Sequence, residues 1–279
     1  MDHSTLHQQI RQIADEAGAL AVAVSAFDFE HRTAWSVNGD RWFHAASTIK
    51  VPVLLGVFDA IEQGRFKRYS RVHVRNRFLS VVDGAPFRVD SGRDANSDVH
   101  AARGKMLTVS ELSEHMIVTS SNLATNLLLD LVGIEETRHT LQRLGLATGI
   151  ELHRGVEDEA AFQAGINNRV TADGLRRALR LIEERLAISE AACDAMLEIL
   201  HQQRFRSGIP AGLPDDARVA HKTGEMSSVA HDAGVVYLES RAPYVVVILT
   251  EWEPDRGSRH KCIARISRAV YRQMMGEDD

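Results

Sequence analysis

The chain has 279 residues, 44% of them apolar and 25% charged, proportions that exclude a disordered, collagen-like or membrane-embedded polypeptide. Such a length buries one large core or two modest ones. Lys and Arg number 33 against 38 Asp and Glu, a formal charge of −5, and no long single-sign block stands out; neither nucleic acid nor an anionic membrane has an electrostatic footprint to meet, so a small-molecule or peptide-like partner is expected.

In chain order, the opening residues are polar and lack the basic flank and apolar stretch of a secretory signal. As it stands the chain is expected to be cytoplasmic, or periplasmic or secreted if a leader was removed. Leu6, Ile10, Ile13 and Ala17 share one helical face and Gly18 follows as a stop, which predicts a helix over Ser4 to Ala17. Leu20 to Phe27 and Thr33 to Val37 are β-rich and read as a hairpin. From Ser47 to about Gln203 almost every periodic segment is helical, including Val51 to Gln63, Val109 to Val118, Leu123 to Leu131 and Ala172 to Glu184. Within it, Arg71 to Lys105 is rich in Arg, Asp and Gly with little periodicity, and reads as a surface excursion whose basic residues are solvated. Strands return at Arg218 to Lys222, Ala233 to Leu238 and Tyr244 to Thr250, and a helix closes the chain around Arg259 to Met275.

Strands at both ends and helices between predict an α/β fold of the α+β kind. An antiparallel sheet from residues 1–46 and 216–279 is flanked by the terminal helices, and an all-helical lobe, 47–215, is inserted. The whole is one catalytic domain with a cleft where lobe meets sheet. Cys193 and Cys262 have no metal-ligand spacing and sit in amphipathic helices, so two buried thiols are expected. The 13 histidines show no paired ligand spacing either, and neither a metal nor another cofactor is called for.

Ser47-Thr-Ile-Lys50 opens an apolar helical run and sets a hydroxyl and an amine one helical turn apart. A helix start adds unpaired N–H groups that favour an anion developing beside Ser47, and Lys50 could act as a base if burial and a neighbouring cation lowered its pKa. Ser-x-x-Lys alone is weak, since ordinary composition yields about one chance match in such a chain. Ser258-Arg-His-Lys261 is a second match, and it reads as a helix start. Two further groups follow Ser47 in order: Ser120-Ser-Asn122 ahead of an apolar helix, and Lys222-Thr-Gly224 on a strand. Alone they would be an N-cap cluster and a strand end with a turn glycine.

Together the three groups resemble the motif triple of the penicillin-recognising serine hydrolases, above all the class A β-lactamases. The resemblance covers nearly the whole chain, including Phe43-His-Ala-Ala-Ser-Thr-Ile-Lys50, Asn126-Leu-Leu-Leu129 and the sheet-helix ending. It implies that Ser47 is the acylated nucleophile, Lys50 its proton partner and Ser120 the proton relay to the departing nitrogen. It further implies that Asn122 holds substrate amide and Lys50, that Lys222 and Thr223 meet a substrate carboxylate, and that Gly224 leads to Glu225, whose N–H completes an oxyanion hole with that of Ser47. Class A enzymes also hold a glutamate that activates the deacylating water. The matching region, His153 to Ala160, lacks the usual Glu-x-x-Leu-Asn pattern, and Glu157 is the candidate with Asp158 the alternative. Ser121 replaces the usual aspartate of the second motif. The function implied is β-lactam hydrolysis through an acyl-enzyme; a cytoplasmic serine esterase, amidase or peptidase on the same scaffold, or a penicillin-binding sensor that stays acylated, are the alternatives. Oligomeric state is left open.

Overall fold

A computed structural model describes residues 4–254 and 257–276. Its centre is a five-stranded antiparallel sheet of β1 (Ala21–Asp28), β2 (Thr33–Val37), β10 (Arg218–Met226), β11 (Val229–Leu238) and β12 (Arg241–Glu251), in the order β10-β11-β12-β1-β2. The two chain ends meet in the middle, where β1 pairs with β12 in a register that sets Val24 opposite Ile248. Both central strands are buried along nearly their whole length, because helices cover both faces. Val22, Val24 and Ala26 of β1 face α1 (Ser4–Ala17) and α10 (Arg259–Met275), packing with Ile10, Ile13, Ile263 and Ile266. Ala23 and Phe27, one residue out of phase, join the larger core on the other side.

That larger core belongs to the inserted helices: α2 (Lys50–Glu62), α4 (Val109–Val118), α5 (Asn122–Val132), α6 (Ile134–Arg143), α8 (Ala172–Glu183) and α9 (Glu190–His201). α8 and α9 lie on the sheet, and Ser25 of β1 donates to Asp173 of α8 at 2.5 Å. α2 is apolar on every side and buried from Lys50 to Ala60, the property of a helix running through a core. Pro52 is tolerated in its first turn, where no intrahelical N–H is required. The helix ends at Gly64, whose φ of +74° lets Arg65 N–H reach back to Ala60 O.

The predicted bounds of α1, α4, α10 and β2 are those observed. Ser258 is the N-cap residue of α10, so the second Ser-x-x-Lys match is a helix start. Both cysteines are free and buried. Short strands also lie in and beside the inserted lobe: β3 (Phe43–His44), just before it, β9 (Arg169–Val170) and β8 (Ile150–Glu151) form one sheet, β4 (Arg71–His73) pairs with β7 (Met106–Thr108), and β5 (Phe78–Leu79) with β6 (Pro86–Phe87). The excursion from Arg71 to Lys105 does hold its basic side chains in solvent, yet it is anchored. Val74, Phe78, Val89 and Val99 enter the core, the last from α3 (Ser97–Ala101), and Asp94, Asn96 and His100 are buried too. Nothing periodic marks that stretch because its anchors are single residues between turns.

Candidate active site

A cleft of about 490 Å³ opens where the sheet edge meets the helical lobe, and Ser47, Asn122, Glu157 and Glu225 stand in its wall with His44, Arg93, Arg154 and Phe162. Ser47 lies in a 3₁₀ turn, Ala46–Ile49, that runs directly into α2. The turn is held from both sides. Ala46 N–H donates to His44 Nδ1 at 3.0 Å, Ala45 N–H to Asn168 O at 2.9 Å, and Thr48 Oγ1 to Ala45 O at 2.6 Å. These contacts keep Ala46 at φ +44°, a left-handed conformation costing about 1–3 kcal/mol for a non-glycine residue. Ser120 at +58° and Glu157 at +61° are in the same region, so three of the six such residues among those described gather around one cleft.

Lys50 is fully buried behind this turn. Its Nζ donates to Ser120 O at 2.6 Å and to Asn122 Oδ1 at 2.8 Å, and lies 3.1 Å from Ser120 Oγ. Lys50, Ser120 and Asn122 thus form one bonded unit beside the turn that carries Ser47. Burial and the nearby Lys222 ammonium hold Lys50 well below the usual lysine range, against the opposing pull of Asp94 and Glu157. Lys222, on β10, is also fully buried and is lowered to about 7 by desolvation, with Asp232 pulling the other way. Its Nζ donates to Thr223 O at 2.8 Å.

Gly224 explains how closely β10 approaches Ser47. A Cβ there would lie 3.0 Å from the Thr48 N and 3.1 Å from the Ser47 N, so any larger residue requires the strand or the turn to give by a few tenths of an ångström. The next residue, Glu225, lines the same cleft, and its exposed carboxylate meets His260 at 3.3 Å. Gly224→Ala is expected to push the strand back and cut kcat/KM about tenfold to 10²-fold, as ångström-scale misplacements do, with folding retained by circular dichroism.

The loop carrying Glu157 is built from backbone-seeking side chains. Asn168 Oδ1 accepts from His153 and Arg154 N–H, and Asn126 on α5 brackets Val156 by accepting from its N–H and donating to its O, each at 2.8 Å. The buried Arg154 donates to Ile166 O and Asn167 Oδ1. In this frame Asn122 Nδ2 donates to Glu157 Oε1 at 2.8 Å, and Asp90 N–H to Oε2 at 2.9 Å. Asn122 thus bridges Lys50 and Glu157. Asp158 differs: it is 1% exposed, caps α7 (Glu159–Gln163) by accepting from Ala161 N–H, and accepts Val81 N–H at 3.0 Å. Its carboxylate ties the loop to the excursion.

Of the residues predicted for the site, Ser47, Lys50, Ser120, Asn122, Glu157 and Lys222 to Glu225 converge on this cleft or directly behind it. Sequence reasoning missed Asp94, Asn126 as a tether and Asn168. Asp94 lies 28 residues before its Asn122 partner in a loop, and no local pattern encodes such a contact. Among the described residues, no group of three or more His, Cys, Asp or Glu side chains is placed to hold a metal ion, and no helix is long and apolar enough to cross a membrane.

The chain is similar to known proteins over nearly its whole length. A beta-lactamase from Streptomyces albus G is 25% identical over 273 residues, covering 94% of this chain and 82% of that one. The structure of a leucine-to-glutamate variant of PBP-A, an acyl-enzyme complex with penicillin G, superposes with a TM-score of 0.81 at 26% identity over 98% of this chain and 97% of that one. A variant of the last common ancestor of Gram-negative bacteria beta-lactamase class A shares the fold, with a TM-score of 0.84 at 23% identity over 99% and 100% of the two chains. The family model described as beta-lactamase enzyme family matches residues 5–274, and with that span the chain belongs to the beta-lactamase enzyme family.

Proposed function

We propose that the chain is a class A-type serine hydrolase that opens β-lactam amides through an acyl-enzyme on Ser47. The observation that carries the reading is the buried Lys50 amine, depressed by burial and Lys222 and bonded to Ser120 and Asn122 directly behind Ser47. Ser47 Oγ attacks the lactam carbonyl carbon while its proton passes to Lys50, and as the C–N bond breaks Ser120 Oγ gives its proton to the nitrogen and takes one back from Lys50 Nζ, 3.1 Å away. The Ser47 and Glu225 N–H groups face the developing oxyanion. Asn122 holds the substrate amide, and Lys222 with Thr223 meets its carboxylate. Glu157 then takes a proton from the water that attacks the acyl carbonyl. The substrate is a small molecule, and no cofactor takes part.

The test is steady-state hydrolysis of a chromogenic cephalosporin beside a short-chain aryl ester, with intact-mass detection of the adduct. Turnover of the cephalosporin with a transient adduct is expected. Ester turnover without lactam opening would overturn the reading in favour of an esterase. One observation favours a second reading, a penicillin-binding sensor that stays acylated. Both Glu157 oxygens already accept hydrogen bonds, from Asn122 and from Asp90 N–H, which leaves fewer lone pairs free to aim at a water. A stable adduct with no turnover is its signature.

The two lysines are needed in opposite protonation states, Lys50 neutral and Lys222 charged, so kcat/KM for an anionic β-lactam follows a bell. Lys222 is lowered to about 7, so its ammonium is present below that pH and lost above it. The alkaline limb is expected near neutrality, and a neutral ester substrate, having no carboxylate to hold, should lack that limb. A pH series from 5 to 10 with both substrates checks this.

A further inference from the structure

α5 begins at Asn122, with Ser121 as its N-cap and no acidic residue in its first turn. Neither Ser120 nor Ser121 nor Asn122 carries charge, yet this turn holds both partners of Lys50. The missing anion comes from another part of the chain. Asp94, in the excursion between β6 and α3, has a side chain with no solvent exposure, and its carboxylate is surrounded by donors. Oδ1 accepts Asn122 N–H at 3.0 Å and Asn96 N–H at 3.3 Å. Oδ2 accepts Leu123 N–H at 3.0 Å and the Ser121 hydroxyl at 3.1 Å, and His100 Nε2 lies 3.1 Å away.

The orphan N–H groups of the helix start are thereby all accounted for. Asn122 and Leu123 donate to Asp94, Ala124 to Ser121 Oγ at 3.2 Å, and Thr125 to Ser121 O at 3.2 Å. An anion at this point also meets the positive end of the helix dipole. Ser121 cannot do the same work, because a hydroxyl has no charge and one oxygen, which already caps Ala124.

We infer that Asp94 is a positioning residue for the reaction: it supplies from the excursion the carboxylate that the Ser120–Asn122 turn lacks, and so sets where the Ser120 hydroxyl and the Asn122 amide meet Lys50. Its catalytic consequence rests on the proposed acylation of Ser47. Charged groups facing Lys50 are Asp94, Glu157 and Lys222, with the uncharged Ser120 and Asn122 bonded to it; His100 faces Asp94 from α3. Asp94 raises the Lys50 pKa, so removing its charge lowers that pKa and leaves the amine neutral at lower pH. The acid limb of the acylation profile should then move down.

The experiment compares wild type, Asp94→Asn and the double variant Asp94→Ala with Ser121→Asp. Three readouts are taken: the rate of covalent labelling by benzylpenicillin, its pH profile, and amide hydrogen exchange at Asn122 and Leu123. Asp94→Asn should slow labelling about 10²-fold, the scale of lost positioning, move the acid limb down and expose the two amides to exchange. The double variant, with a carboxylate restored at the helix start, should recover labelling to within about tenfold of wild type. Wild-type labelling and exchange in Asp94→Asn would overturn the inference. Slowed labelling with an unmoved profile and no rescue would overturn it too, leaving Asp94 a loop anchor. If wild type itself is never labelled, the acylation reading fails by itself and exchange decides the positioning: lost protection supports it, unchanged protection overturns it.

Discussion

Ser47→Ala is expected to abolish both hydrolysis and covalent labelling by a β-lactam, a loss on the order of 10⁶ in kcat when a nucleophile is removed from a working set. The argument is geometric. Ser47 is the hydroxyl in the cleft wall at the start of α2, where the backbone of β10 comes within contact distance because residue 224 is glycine. The second hydroxyl of the cluster, on Ser120, is held 3.1 Å from Lys50 and suits proton transfer. Removing the Ser47 oxygen leaves Lys50, Ser120 and Asn122 bonded to one another as before, so the fold should be unaffected. Peptide mapping after exposure to benzylpenicillin checks the assignment, and a label retained on Ser120 or any other serine would place the nucleophile elsewhere.

Glu157→Ala separates the two halves of the reaction. Acylation draws on Lys50 and should continue, whereas hydrolysis of the adduct needs a base aimed at water, whose loss typically costs about 10² to 10⁴ in rate. An adduct that wild type turns over should therefore accumulate and be visible by intact mass. Asp158→Ala makes the contrast. That carboxylate is buried, caps α7 and accepts Val81 N–H, so its removal should lower Tm through a lost cap worth about 1–2 kcal/mol without trapping an adduct. If Asp158→Ala traps the adduct and Glu157→Ala does not, the base is one residue later. If wild type already accumulates the adduct and Glu157→Ala changes nothing, the sensor reading is the better one.

Much of this architecture is encoded locally. The apolar periodicity of Leu6, Ile10 and Ile13, the β-rich run before Phe27 and the apolar stretch after Lys50 each follow from whether the chain needs a 3.6-residue or a two-residue repeat to reach a core. The same holds for the pairing of Ser47 with Lys50, since residues 47 and 50 are one turn apart in any helix start, and three motifs that follow in order along the chain are visible without coordinates. Local pattern also separated Ser258 from Ser47, because nothing follows the later match to complete a site.

What only the tertiary structure decided are the relations that no spacing records. Lys50 is bonded to residues 70 and 72 positions away rather than to the serine one turn before it. Burial and a cation on a strand from the far end of the chain lower its pKa, and of two adjacent acids lining the cleft one accepts from Asn122 while the other ties two loops together. Asp94 reads in sequence as one charge in a polar stretch. It becomes the anion at the start of α5 only because folding brings the excursion across the helix end. The physical reason is common to all of these: secondary structure follows from the period of burial along the chain, while the charge state and aim of a buried polar group depend on which distant donors and ions share its low-dielectric surroundings.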